Sequence, residues 1–169
     1  ELFINGKSYG KQSKNNSSLK NRYRLMWMDA VYEPGEVKVV AYNKEGKAVA
    51  EKVVRTAGKP HHIELVSNRN ELTADGKDLA YVTVKVVDKD GNLCPTDNRQ
   101  INFSAKGTGK YRAAANGDPT NLEQFHLPKM HAFNGMLTAI IQAGETAGEI
   151  VFTAKANGVK AGNIRIQTK

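Results

Sequence analysis

Cysteine occurs once in the 169 residues, as Cys94. An internal disulfide is therefore excluded, and a lone thiol without a second Cys or His at ligand spacing makes no zinc site. Cys94 reads as a small, semi-buried hydrophobe ahead of Pro95. Long apolar runs are also missing. Hydrophobic residues make up 40% of the chain, yet no segment approaches the roughly 20 consecutive apolar residues of a membrane span. No signal peptide is visible at the start. Helical patterning is scarce, since no window longer than about ten residues keeps apolar spacing at i, i+3, i+4 and i+7 with caps. Aromatic residues are 7%, which leaves little for an exposed stacking platform.

Acidic residues are absent from Leu2 to Met28, a stretch holding Lys7, Lys11, Lys14, Lys20, Arg22 and Arg24. Residues 1–57 carry 11 Lys/Arg against 6 Asp/Glu, the larger share of a net charge of +8. Such a balance raises the question of nucleic acid. A basic groove that binds single strands interleaves aromatics for base stacking. The middle of this run, KQSKNNSSLKN, has none; it reads as a solvated hairpin loop, and no nucleic-acid partner is expected.

What is abundant is alternation. In ADGKDLAYVTVKVVDKDGNLC (74–94), Val82, Val84 and Val86 face one way and Tyr81, Thr83 and Lys85 the other, as a half-buried strand requires. Asp88-Lys89-Asp90-Gly91-Asn92 then reverses the chain. Similar runs, bounded by Gly, Asn and Asp, recur throughout. They predict an all-β protein of two tandem immunoglobulin-like β-sandwiches, residues 1–57 and 58–169, joined at Ala57-Gly58-Lys59-Pro60. In the first unit the pattern predicts strands at 2–5, 23–28, 36–43 and 48–56. Trp27 is expected to anchor its small core, Val37, Val39 and Ala41 to share a face, and Val49 to pair across the turn at Gly46. Four strands are few for a sandwich, and the chain opens inside a strand-like run without Met. Both imply that this sandwich is truncated at its N-terminus and that a longer parent supplies earlier strands. In the second unit strands are predicted at 63–67, 79–88, 100–105, 111–115, 136–143, 149–156 and 162–168. The inward set is Ile63, Leu65, Val82, Val84, Val86, Ile101, Phe103, Leu137, Ala139, Ile141, Ile150, Phe152, Ile164 and Ile166. Residues 116–135, NGDPTNLEQFHLPKMHAFNG, lack strand character, and a long structured loop in a compact domain usually has a role.

Several short motifs follow one another in a fixed order: ELFINGKSYG (1–10), VYEPG (31–35), AYNKEGK (41–47), TAGKP (56–60), ADGKDL (74–79), VDKDGN (87–92), NGDPT (116–120) and AFNG (132–135). Together they resemble the C-terminal accessory β-sandwich region of glycoside hydrolase family 2, in particular β-galactosidases of the Bacteroides type. The resemblance covers essentially the whole chain. It implies a parent enzyme that hydrolyses terminal β-galactosides or related glycosides, and a periplasmic or extracellular bacterial location. Non-catalytic structural, domain-docking or oligomer roles are implied for these domains. It also implies partners: the catalytic and upstream domains of the parent. Retaining glycosidases need two carboxylates about 5–5.5 Å apart. In this family they sit on a TIM barrel, which takes about 250 residues, so no residue here inherits a catalytic role, and no cofactor is implied.

Candidate sites are few. Asp88, Asp90 and Asn92 have the first ligand spacings of a calcium loop, but Leu93 and Arg99 stand where Gly and an acid are needed; a plain turn is the better reading. His61 and His62 are adjacent, so on a strand they would face opposite ways, while His126 and His131 lie in the irregular loop. No metal site is expected. The loop 116–135 is the remaining candidate, as a sugar or docking loop. Asn116, Asp118 and Asn134 would cap its turns or bond sugar hydroxyls beside Phe125 or Phe133. Two rival readings carry different expectations. A carbohydrate-binding module needs an exposed aromatic platform and weak glycan contact. An adhesin spacer needs near-identical repeats, which the two units lack. An exposed edge or apolar face on a truncated sandwich predicts self-association.

Overall fold

The structure, a computed structural model, describes residues 1–169. The chain divides into two compact units, Glu1–Thr56 and Ala57–Lys169.

The first unit is one antiparallel sheet. Strands β1 (Leu2–Ile4), β2 (Lys7–Ser8), β3 (Glu36–Tyr42) and β4 (Ala48–Arg55) lie in the order β2-β1-β3-β4. The hairpin β1-β2 turns at Asn5-Gly6, both at positive φ (49° and 82°), which is the Asn-Gly type I′ signature. The Asn5 side chain also accepts from the Glu36 N–H at 2.8 Å, tying the turn to β3. Only Leu2, Ile4 and Val40 are buried apolar residues here.

Three expectations fail in this unit. Residues 23–28 are not a strand. A five-residue helix, α1 (Leu19–Tyr23), ends there, capped by the Ser18 hydroxyl accepting from the Asn21 N–H, and an irregular segment follows. That stretch, RYRLMW, has the composition of a strand but no neighbour with which to bond. Trp27 does not fill a core; it is half-buried, held by its indole N–H on the Gly10 carbonyl at 3.1 Å. Val37, Val39 and Ala41 do share a face, but Val49 pairs with none of them. The register slips at Ala41/Tyr42, so Ala50 opposes Ala41, Ala48 opposes Tyr42, and Val49 bulges between.

The second unit is a two-sheet sandwich. One sheet holds β5 (His62–Ser67), β7 (Leu79–Val87), β11 (Met136–Ala143) and β9 (Gly109–Ala115), in the order β5-β7-β11-β9. The other holds β6 (Glu71–Leu72), β8 (Gln100–Gly107), β10 (Lys129–His131), β12 (Gly148–Lys155) and β13 (Gly162–Thr168), in the order β10-β8-β12-β13-β6. Alternation decides which residues go inside. Val82, Val84 and Val86 are fully buried while Tyr81 is 45% exposed, and every second residue of β11 is buried. Ile101, Phe152, Ile150 and Ile166 from the facing sheet close the core, each such side chain contributing about 1.5–3 kcal/mol. Phe103 stacks between Phe152 and Tyr111. Of the inward set, Leu65 and Ile164 are only half-buried and pack on its rim. The short strands β6 and β10 escaped the pattern. β10 lies inside the loop that looked irregular, and its central Met130 is fully buried.

Candidate functional site

The loop 116–135 links β9 to β11 and is held along its whole length. At its start the Asn116 side chain accepts from the Asp118 N–H at 3.0 Å and donates to the His131 carbonyl at 3.0 Å. Asp118 in turn accepts from the Thr120 N–H and hydroxyl, both at 2.8 Å, and Asn121 accepts from the Glu123 N–H at 2.9 Å. These are successive Asx turns, each satisfying an amide that no strand neighbour reaches. The Asn121 amide nitrogen is buried without a partner.

The middle is latched by Tyr111 of β9. Its hydroxyl reaches the Leu127 carbonyl at 2.7 Å and the Phe125 carbonyl at 3.1 Å, while the Ala114 N–H donates to the Phe125 carbonyl at 2.8 Å. Burial pushes the Tyr111 phenol up to about 12, so it stays a donor. Glu123 clasps His131 twice, accepting from its N–H at 3.1 Å and facing its Nδ1 at 3.0 Å. Burial raises the Glu123 carboxyl, the two His131 contacts lower it, and the lowering prevails. At the far end Asn134-Gly135 is a second type I′ turn, with φ of 52° and 76°, closing Phe133 onto Met136. A Cβ on Gly135 would stand 2.3 Å from the Cys94 carbonyl oxygen, so only glycine fits.

The five loop residues singled out therefore divide. Asn116 and Asp118 are joined to each other, and both Asn116 side-chain polar atoms and the Asp118 Oδ1 bond within the loop. Asn134 is committed to the turn, its N–H donating to the Asn98 side chain at 3.0 Å, and Phe133 is half-buried beside it. No hydrogen bond links Asn134 to Asn116 or Asp118. Phe125 is 58% exposed and, with Leu122, forms the loop's apolar tip. Tyr111, Glu123 and Met130 were missed as its supports. The only sequence signal was the two-step Met130–Ala132 alternation, too short to read as a strand.

The other polar clusters are structural. Asp88 is buried and accepts from the N–H groups of Gly58, Asp90 and Asn92 at 2.8–2.9 Å and from the Asn92 amide. The Gly58 N–H, then Asn92, hold its carboxyl well below the ordinary carboxylate range. Its lone pairs face donors, so the turn has no inward carboxylate free for a cation. His61 and His62 correct the opposite-faces expectation. β5 begins at His62, and the two rings meet edge to face with Nδ1 atoms 3.0 Å apart. Cys94 is buried more completely than expected, its Sγ 3.8 Å from the Gly58 carbonyl, and burial raises its pKa. At the other end of the sandwich a shallow cleft of about 600 Å³ lies over Gly76, Thr108, Lys110, Gly144 and Glu145, where a Cβ on Gly144 would stand 2.8 Å from the Thr108 carbonyl oxygen.

Two facing sheets, antiparallel except where β6 pairs parallel with β13, define an immunoglobulin-like sandwich. Residues 63–165 match glycoside hydrolase family 2 C-terminal domain 5, and residues 1–50 match a domain of unknown function. The chain belongs to glycoside hydrolase family 2, as part of its C-terminal β-sandwich region. It is 41% identical over 169 residues to the β-galactosidase BoGH2A of Bacteroides ovatus, covering 100% of this chain and 19% of that protein. A family 2 glycosyl hydrolase structure from Bacteroides cellulosilyticus superposes with a TM-score of 0.86 at 33% identity, covering 99% of this chain and 21% of that one. A β-glycosidase structure from Bacteroides vulgatus gives 0.88 at 25% identity, with 98% and 20% covered. The chain thus spans about a fifth of the relatives it matches. A catalytic barrel of about 250 residues is not contained in these strands.

Proposed function

We propose that this chain is the non-catalytic accessory portion of a larger family 2 glycosidase that hydrolyses terminal β-galactosides or related glycosides outside the bacterial cytoplasm. The carrying observation is the 41% identity to the Bacteroides ovatus β-galactosidase along the entire chain. The sheet of the first unit and the sandwich of the second brace the catalytic part and offer it docking surface. Support for docking comes from the first unit, where Val31, Tyr32, Val39, Val49 and Val54 are exposed while only three apolar residues are buried. In the second unit Leu122 and Phe125 supply a smaller apolar tip on the loop 116–135.

The test uses the gene that encodes this chain. With its upstream sequence, the product is expected to cleave a nitrophenyl β-galactoside, and the 169-residue chain alone to be inactive. Removing these residues is expected to lower thermal stability far more than kcat/KM. A product inactive on a panel of nitrophenyl glycosides, or turnover by the isolated chain, overturns the reading.

A further inference from the structure

The outer side of β4 is the longest unpaired strand edge in the molecule. β4 pairs with β3 alone and has no neighbour on its outer side. Seven of its eight residues are exposed, and no proline interrupts it. Pairing fixes which backbone groups point outward. The Val40 N–H donates to the Glu1 carbonyl, so β3 turns its even-numbered groups toward β1 and its odd-numbered groups toward β4. Val37, Val39 and Ala41 meet Val54, Lys52 and Ala50 there, and the Thr56 N–H donates to Gly35 in the same phase. The N–H and C=O groups of Glu51, Val53 and Arg55 therefore face solvent, unpaired.

We propose that this edge pairs antiparallel with the β4 edge of a second copy of the chain, about a two-fold axis at Val53. Opposed residues in a sheet lie on one face, so a two-fold normal to it must pass through a residue position. A centre at Glu51 sets Glu51 against its own copy, and a centre at Lys52 does the same with lysines, both repulsive. Centres at Ala50 or Val54 make no charge pair. A centre at Val53 sets Val53 against Val53 and Glu51 against Arg55 on both sides. All three are outward-facing residues, giving about six backbone hydrogen bonds. Arg55 already meets Glu36 at 2.7 Å on that face. The pairing then makes a row of Glu36, Arg55 and the second copy's Glu51, which the five guanidinium donors can serve. The two sheets become one of eight strands, closed by the two-fold. This inference rests on the edge alone and stands apart from the glycosidase reading.

Sedimentation of the 169-residue chain over a concentration series tests it. The wild type is expected to pass from monomer to dimer. Glu51→Arg and Arg55→Glu are each expected to stay monomeric alone and to form a heterodimer when mixed, because the mixture restores both ion pairs. If Arg55→Glu fails to fold through its contact with Glu36, Val53→Pro replaces it, removing an outward N–H, and is expected to be monomeric. Amide exchange at Glu51, Val53 and Arg55 should slow with concentration, while Lys52 and Val54 stay unchanged. A wild type monomeric at every concentration, variants that dimerise like it, or concentration-dependent protection confined to other segments overturns the proposal.

Discussion

Asp88 shows how one carboxylate can serve as the knot of a domain. Its two oxygens gather N–H donors from its own turn and from Gly58, thirty residues earlier in the chain. Asp88→Asn turns one acceptor into a donor facing those N–H groups, and is expected to lower Tm by several degrees at neutral pH. The folded pKa lies below the ordinary value of 3.8. Stability from the charged form is therefore complete above about pH 5 and is lost as pH falls toward the folded value. The Tm gap between the wild type and Asp88→Asn should accordingly be constant above about pH 5 and close on acidification; thermal melts across pH check it. Gly135 is constrained differently. Gly135→Ala meets both a positive φ and the Cys94 carbonyl. It is expected to cost about 1–3 kcal/mol in denaturant unfolding.

The elements differ in how openly the sequence declares them. β7, β11 and β12 alternate over eight or nine residues against a buried layer, and their patterns suffice to place them. Residues 23–28 read as a strand because strand composition is local, whereas strand formation needs a bonded neighbour. β10 is the converse: three residues with no pattern of their own, paired onto β8 because the latched loop delivers them there. The loop's anchors were equally hidden. Glu123 and His131 stand eight residues apart at no regular spacing, and only the folded path brings them together. The Asx turns at Asn116 and Asp118 were legible because they act on residues two positions away. Met130 is the apolar pin of this element. Met130→Ala is expected to cost about 2–5 kcal/mol, and to raise proteolysis within 116–135 before the rest of the sandwich opens. Limited digestion followed by mass analysis measures both site and rate.

At the scale of the whole molecule the two units hold very different reserves. The sandwich has a connected cluster of 20 buried apolar residues. The sheet of the first unit has three. Residues 57–169 alone are expected to fold and melt in one cooperative transition, and the full chain to lose its first unit at lower denaturant. Trp27, the only tryptophan, belongs to that first unit. Its fluorescence should therefore change ahead of the far-ultraviolet circular dichroism, which the larger β content of the sandwich dominates. Coincident transitions would show that the units unfold as one.

The four Asn-Gly steps, at Asn5, Asn116, Asn134 and Asn157, have a chemical consequence in time. Asparagine before glycine ages when the glycine nitrogen attacks the side-chain amide, expelling ammonia to close a succinimide that water then opens to aspartate or its backbone-shifted isomer. The Gly135 nitrogen is buried and already donates to the Asp97 carbonyl, whereas Gly6, Gly117 and Gly158 are exposed. Stored protein should acquire acidic variants at the steps with an exposed glycine, Asn5, Asn116 and Asn157, before Asn134. At Asn5 the isomer's added backbone atom would release β2 and the Glu36 contact, in the unit least able to absorb the change.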